Sequence, residues 1–159
     1  MTEVFLRPGE VFIGDRSHRV RTLLGSCVSI TLWDERLRVG AMSHFLLAGR
    51  GRPADGPLDG RFADEALALM LQGLQRLGAS AQRCEAKLFG GGHMFPERAL
   101  DEAFQVGRRN GETAVRLLQL HGIALRSQSL FGAGHRRIAF DIDSGHVWAC
   151  QVRPADLVS

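Results

Sequence analysis

The chain has 159 residues, 45% hydrophobic and 23% charged, with a formal net charge of +3 and a pI of about 9.2. That length suits a single domain over residues 1–159 with its own core, and the ordinary apolar content excludes disorder over most of it. No apolar run approaches the roughly 20 residues of a membrane span, no basic and apolar leader opens the chain, and no long basic run or aromatic platform marks a nucleic-acid partner, so the default reading is cytoplasmic.

In chain order, residues 11–13 form a short apolar run ended by Gly14-Asp15. Residues 27–33 alternate, with Val28, Ile30 and Leu32 on one face and Cys27, Ser29, Thr31 and Trp33 on the other, which is the period of a strand. Asp34-Glu35-Arg36 makes a polar turn, and residues 38–47 return as a second extended run, so 27–47 reads as a hairpin. Residues 48–60, rich in glycine and proline, are a loop. Phe62, Ala66, Leu69, Met70, Gly73, Leu74 and Leu77 recur at helical spacing and Gly78 stops them. Residues 84–89 read as a strand running into Gly90-Gly91-Gly92. A second helix is predicted from Asn110 as N-cap to His121, with Gly122 as its stop. Three strands, over 123–130, 137–142 and 147–152, close the chain, with Asp143-Ser144-Gly145 as a turn. Two helices and about eight strands make an α+β fold with extensive sheet.

Three cysteines cannot all pair within one chain, and Cys27, Cys84 and Cys150 match no zinc or disulfide spacing. Cys84 and Cys150 fall within strands and read as buried, inert thiols. Cys27 differs. It follows the sharp turn Leu24-Gly25-Ser26, where backbone amides aimed at one point stabilise an oxyanion and activate a thiol. His44, in the returning arm of the hairpin, is placed by a turn near 34–37 as an approximate cross-strand partner of Cys27, at a Cβ separation of about 4.5–5.5 Å. A thiol beside an imidazole is the pairing that nucleophilic catalysis needs. Thr22, Ser26 and Asp34 are all candidates for the group that orients the imidazole, and the residues alone do not choose among them. Residues 89–95 and 131–136 read as glycine turns that let backbones approach, since neither carries a phosphate-loop or dinucleotide fingerprint.

The segment Thr22-Leu23-Leu24-Gly25-Ser26-Cys27-Val28, followed by His44 within residues 40–47, resembles the CheD family of chemoreceptor glutamine deamidases. The resemblance continues through residues 87–92, Gly107-Arg108-Arg109-Asn110 and Gly134-His135-Arg136-Arg137, so it covers most of the chain. It implies a compact α/β sandwich with two β-sheets and flanking helices, similar to the catalytic domain of the cytotoxic necrotizing factor toxins. It implies Cys27 as nucleophile, His44 as general acid and base, and Thr22 as the third member, with Gly25 and Ser26 in the oxyanion turn and no cofactor or metal. The substrate it implies is a glutamine on the helical cytoplasmic part of a chemoreceptor, with Arg50 and Arg52 in the 48–60 loop as candidate contacts to receptor acids. A CheC-type phosphatase is a further partner known in the family, and the chain itself is expected to be a monomer. Two readings compete: a transglutaminase-like acyl transfer and a non-catalytic adaptor regulating a phosphatase. The intact thiol and imidazole argue against the adaptor.

Overall fold

The computed structural model describes residues 1–51, 53, 55–94 and 102–152. Its strands are β1 (Thr2–Phe5), β2 (Val11–Asp15), β3 (His18–Leu24), β4 (Val28–Asp34), β5 (Val39–Ser43), β6 (Glu85–Gly90), β7 (Ala124–Leu130), β8 (His135–Asp141) and β9 (Val147–Val152). The helices are α1 (Ala63–Arg76) and α2 (Glu102–Leu120). Strands β2-β5-β4-β6-β7 form one sheet and β1-β3-β8-β9 a second.

The alternation in β4 explains the layering. Val28, Ile30 and Leu32 pack with Ala66, Leu67, Met70 and Leu74 of α1 and with Ala114 and Leu118 of α2. The opposite face of the same sheet, with Cys27, Trp33 and Met42, packs on Val20, Leu24, Ile138 and Phe140 of the second sheet. The five-stranded sheet is therefore the middle layer, helices on one side and the four-stranded sheet on the other, which is the expected α+β sandwich of two sheets and flanking helices. Each of these two cores is closed by apolar side chains lying on alternate residues of a strand or successive turns of a helix.

Several expectations need correction. The first half holds two further strands, β1 and β3, paired in parallel. Helix α2 begins at Glu102, eight residues before the predicted cap, so Asn110 lies in its interior. Leu77, counted in the apolar spacing of the first helix, is exposed, as is His121 at the end of the second. Cys84 is buried as expected, and burial, followed by the nearby Asp34 charge, pushes its thiol up to about 11. Cys150 is exposed, because β9 is an edge strand and Cys150 pairs with the exposed Arg137 on the outer face of the second sheet.

The hairpin turn lies one residue later than expected. Asp34 pairs with Val39, leaving residues 35–38 as the connection. Arg38 takes a φ of 52°, and Asp34 receives the N–H groups of Leu37 and Arg38. This sets the register, with Thr31 opposite Met42 and Val28 bridged to Phe45.

Candidate active site

Residues 25–27 are the corner at which the chain leaves the second sheet, after β3, and enters the middle sheet at β4. Cys27 stands at that corner, half-buried and reduced. The register carries Cys27 opposite Leu46 and His44 opposite Ser29, so the two are diagonal neighbours, not the direct partners that a turn at 34–37 predicts. Diagonal positions lie about 7–8 Å apart in a regular pair, which is within reach of an imidazole. Both project between the sheets: Cys27 packs with the inter-sheet core, and His44 reaches β3.

Of the three candidate orienting groups, Thr22 is the one brought to the His44 ring. Thr22 Oγ1 donates to the Leu6 carbonyl at 2.7 Å, which uses its only proton. Its 2.8 Å contact with His44 Nδ1 is then one in which the imidazole donates. Nδ1 carries the ring proton and Nε2 keeps its lone pair, the tautomer a general base needs. Both Thr22 and His44 are buried. Of the other two candidates, Asp34 caps the hairpin turn at the far end of β4, and the Ser26 carbonyl is held by Asn110.

Electrostatically the pair rests neutral. Burial pushes the Cys27 thiol up from 9.0, partly opposed by its own backbone N–H. Burial pushes the His44 imidazole down from 6.5 to about 4. Near neutral pH the sulfur is a thiol and the imidazole is neutral, so a thiolate at Cys27 requires a base to take the thiol proton.

Three glycine-rich corners meet behind Cys27. The Gly91 N–H donates to the Cys27 carbonyl and the Gly92 N–H to the Gly25 carbonyl, both at 2.9 Å. Gly91 has a φ of 65°, and a Cβ there would lie 2.7 Å from the Gly107 carbonyl of α2, so glycine is required for both reasons. The His93 N–H donates to the Gly132 carbonyl, which ties the third corner to the second. Arg136 is buried beneath them and donates to the carbonyls of Gly90 and Phe131; its burial lowers its own pKa. The glycine stretches are thus close backbone approaches, as expected, and they support the turn that carries Cys27.

Sequence reasoning missed Asn110 as part of this site. Its side chain, 1% exposed, donates to the Ser26 carbonyl at 3.3 Å and the Leu46 carbonyl at 2.8 Å. The available signal was an asparagine between two glycines, Gly107 and Gly111, in a segment otherwise suited to helix. Arg50 is drawn inward: it makes two bonds to the buried Glu65, at 2.6 and 2.8 Å, and lies 5.0 Å over the Phe62 ring. Its guanidinium pins the loop to α1. Arg52 lies outside the described residues. Among the described residues, no group of three His, Cys, Asp or Glu side chains is placed to hold a metal, and no helix is long and apolar enough to cross a membrane.

The family model for CheD chemotactic sensory transduction matches residues 46–151. A protein of Albidiferax ferrireducens named probable chemoreceptor glutamine deamidase CheD 2 is 56% identical over 155 residues, covering 96% of this chain and 88% of that protein. Dechloromonas aromatica has a probable chemoreceptor glutamine deamidase CheD 3 that is 44% identical, over 97% of this chain and 90% of that one. A further relative named probable chemoreceptor glutamine deamidase CheD, from Thermococcus kodakarensis, is 40% identical over 91% of this chain and 90% of its own. Among solved structures, the Bacillus licheniformis hypothetical protein YfiH aligns with a TM-score of 0.45 and 11% identity, over 76% of this chain and 56% of that one.

Proposed function

The chain belongs to the CheD family, and from that premise we propose that it is a protein-glutamine deamidase that converts glutamines of chemoreceptors to glutamate through a thioester on Cys27. The observation that carries the assignment of roles is the buried Thr22–His44 hydrogen bond, which leaves His44 Nε2 unprotonated on the face shared with Cys27.

In this reading His44 Nε2 takes the thiol proton as Cys27 Sγ attacks the glutamine carboxamide carbon. The carbonyl oxygen becomes an oxyanion, met by backbone N–H groups at Ser26 and Cys27; a donor of this kind is typically worth about 2.7–4 kcal/mol in the transition state. The C–N bond then breaks, the imidazolium gives its proton to the departing nitrogen, and ammonia leaves. His44 next takes a proton from water as its oxygen attacks the thioester. The C–S bond breaks, the proton returns to sulfur, and the products are glutamate and free Cys27. Atoms and charge balance at each step with no cofactor.

The whole 159-residue chain serves as one domain, acting as a cytoplasmic monomer on the receptor's exposed helices. A CheC-type phosphatase is a second partner for the same protein. The activity reading is tested by mass spectrometry of a glutamine-bearing chemoreceptor cytoplasmic fragment after incubation with this protein or with Cys27→Ala. Conversion of Gln to Glu only with the intact thiol is expected. Conversion by the alanine variant, or by neither with both folded, would sink the reading.

A further inference from the structure

Three consecutive carbonyls at the nucleophile's corner are held from behind. The Gly25 carbonyl accepts from the Gly92 N–H, the Cys27 carbonyl accepts from the Gly91 N–H, and the Ser26 carbonyl between them accepts from the Asn110 side chain. The outer two are fixed by backbone. The middle one depends on a single side chain, set in the interior of α2 and buried. Both partners of that carboxamide are carbonyl oxygens, so its NH2 must face them and its orientation is settled by chemistry.

A trans peptide unit is planar, with its C=O and N–H pointing in opposite directions. No cis peptide is present in the described chain. Holding the Ser26 carbonyl therefore aims the Cys27 N–H the other way, and holding the Gly25 carbonyl aims the Ser26 N–H likewise. Among the described residues neither of these N–H groups is given to another residue; the Cys27 N–H lies against its own sulfur. The next one along, Val28 N–H, is already bonded to the Phe45 carbonyl. The same Asn110 amide also grips Leu46, two residues beyond His44, so one side chain ties the corner to the strand that carries the base.

We propose that Asn110 is a positioning residue for the oxyanion hole: its carboxamide clamps the Ser26 carbonyl and so points the Cys27 N–H at the oxygen of the tetrahedral intermediate. The inference rests on the thiol-acyl chemistry read above. It assigns a role in the reaction to a residue that touches no substrate atom, and it explains why α2 passes through Gly107 and Gly111 to bring an asparagine against the corner.

The test compares wild type, Asn110→Ala and Asn110→Gln on the receptor fragment, with iodoacetamide alkylation of Cys27 measured in parallel. Alkylation needs the thiol and its base but forms no oxyanion. For Asn110→Ala, kcat should fall about 10- to 100-fold, with KM and the alkylation rate within about twofold of wild type. Asn110→Gln, which keeps the carboxamide, should recover part of the loss. An unchanged kcat, or equal losses in kcat and alkylation, would overturn the proposal. Should the alanine variant not fold, amide hydrogen exchange on the wild type decides. The Cys27 N–H must exchange freely in the resting protein and become protected when a glutamine γ-aldehyde peptide is trapped on the thiol; protection in the free protein overturns it. Acylation by p-nitrophenyl acetate separates the two readings. If wild type acylates but leaves receptor glutamines unchanged, the deamidase reading fails, and the role of Asn110 is decided by the acylation rate of Asn110→Ala.

Discussion

Replacing Thr22 by valine removes one oxygen and almost no volume. That oxygen donates to the Leu6 carbonyl at 2.7 Å and accepts from His44 Nδ1 at 2.8 Å, inside the gap between the sheets. The substitution leaves a buried carbonyl and a buried imidazole N–H without partners. Each orphan costs about 1–3 kcal/mol, so Thr22→Val should lose about 2–6 kcal/mol of stability by denaturant unfolding. In catalysis the imidazole loses the acceptor that fixes its tautomer. One such loss expressed in the transition state corresponds to a fall of about 5- to 150-fold in kcat. KM should stay within about twofold, because Thr22 lies behind His44 and is 3% exposed, out of a substrate's reach. Thr22→Ser keeps the oxygen and should restore most of the rate. The assay is the initial rate of Gln to Glu conversion, by mass spectrometry, over a range of receptor-fragment concentrations and below each variant's melting transition. A folded valine variant with wild-type kcat, or a serine variant as slow as the valine, would refute the role given to Thr22.

Other outcomes follow from the same geometry. Cys27→Ala should abolish turnover yet still bind the receptor fragment in a pull-down, since the thiol contributes one atom at the edge of the site. The neutral imidazole persists down to about pH 4, so kcat/KM should stay level from neutrality toward that value and fall below it, without a step at 6.5. The folded pKa of His44 is below its unfolded value, so the unfolded chain takes up the proton first. Stability should be complete above about pH 6.5 and decline toward pH 4, by at most about 3 kcal/mol, a slope that His44→Gln should reduce in urea titrations. Gly107→Ala should gain about 1 kcal/mol by helix propensity alone. Its Cβ would lie 2.8 Å from the Gly91 carbonyl and 3.1 Å from that of Gly92, so a lower melting temperature and slower turnover are expected instead; a higher one would contradict the close approach. Arg50→Gln releases the 48–60 loop from Glu65, and limited proteolysis should cut that loop faster in the variant, with the melting transition still cooperative.

What could be read from the sequence divides by the range of the interaction that decides it. The alternation of residues 27–33 was legible because β4 is covered on both faces by different partners, helices on one and a sheet on the other. Strand β3 was harder to see. Its outer face is open, so Arg19, Arg21 and Leu23 alternate with the inward Val20, Thr22 and Leu24, and the basic residues mask the apolar period. The start of α2 was lost to propensity. Gly107 and Gly111 disfavour helix locally, yet each is where a backbone or a ring, Gly91 or Phe131, presses against the helix, and tertiary contact overrides the local cost. The site divides in the same way. Cys27 and His44 stand out by chemistry and by their place in one hairpin, and even there a turn one residue later than 34–37 makes them diagonal. Thr22 could not be separated from Ser26 or Asp34 by the residues alone, because its contact with His44 crosses from one sheet to the other. Pairing within a sheet leaves a period along the chain, whereas stacking between sheets leaves none. The resemblance named Thr22, but the tautomer it imposes on His44 comes from a bond to Leu6 that only the folded corner brings into place.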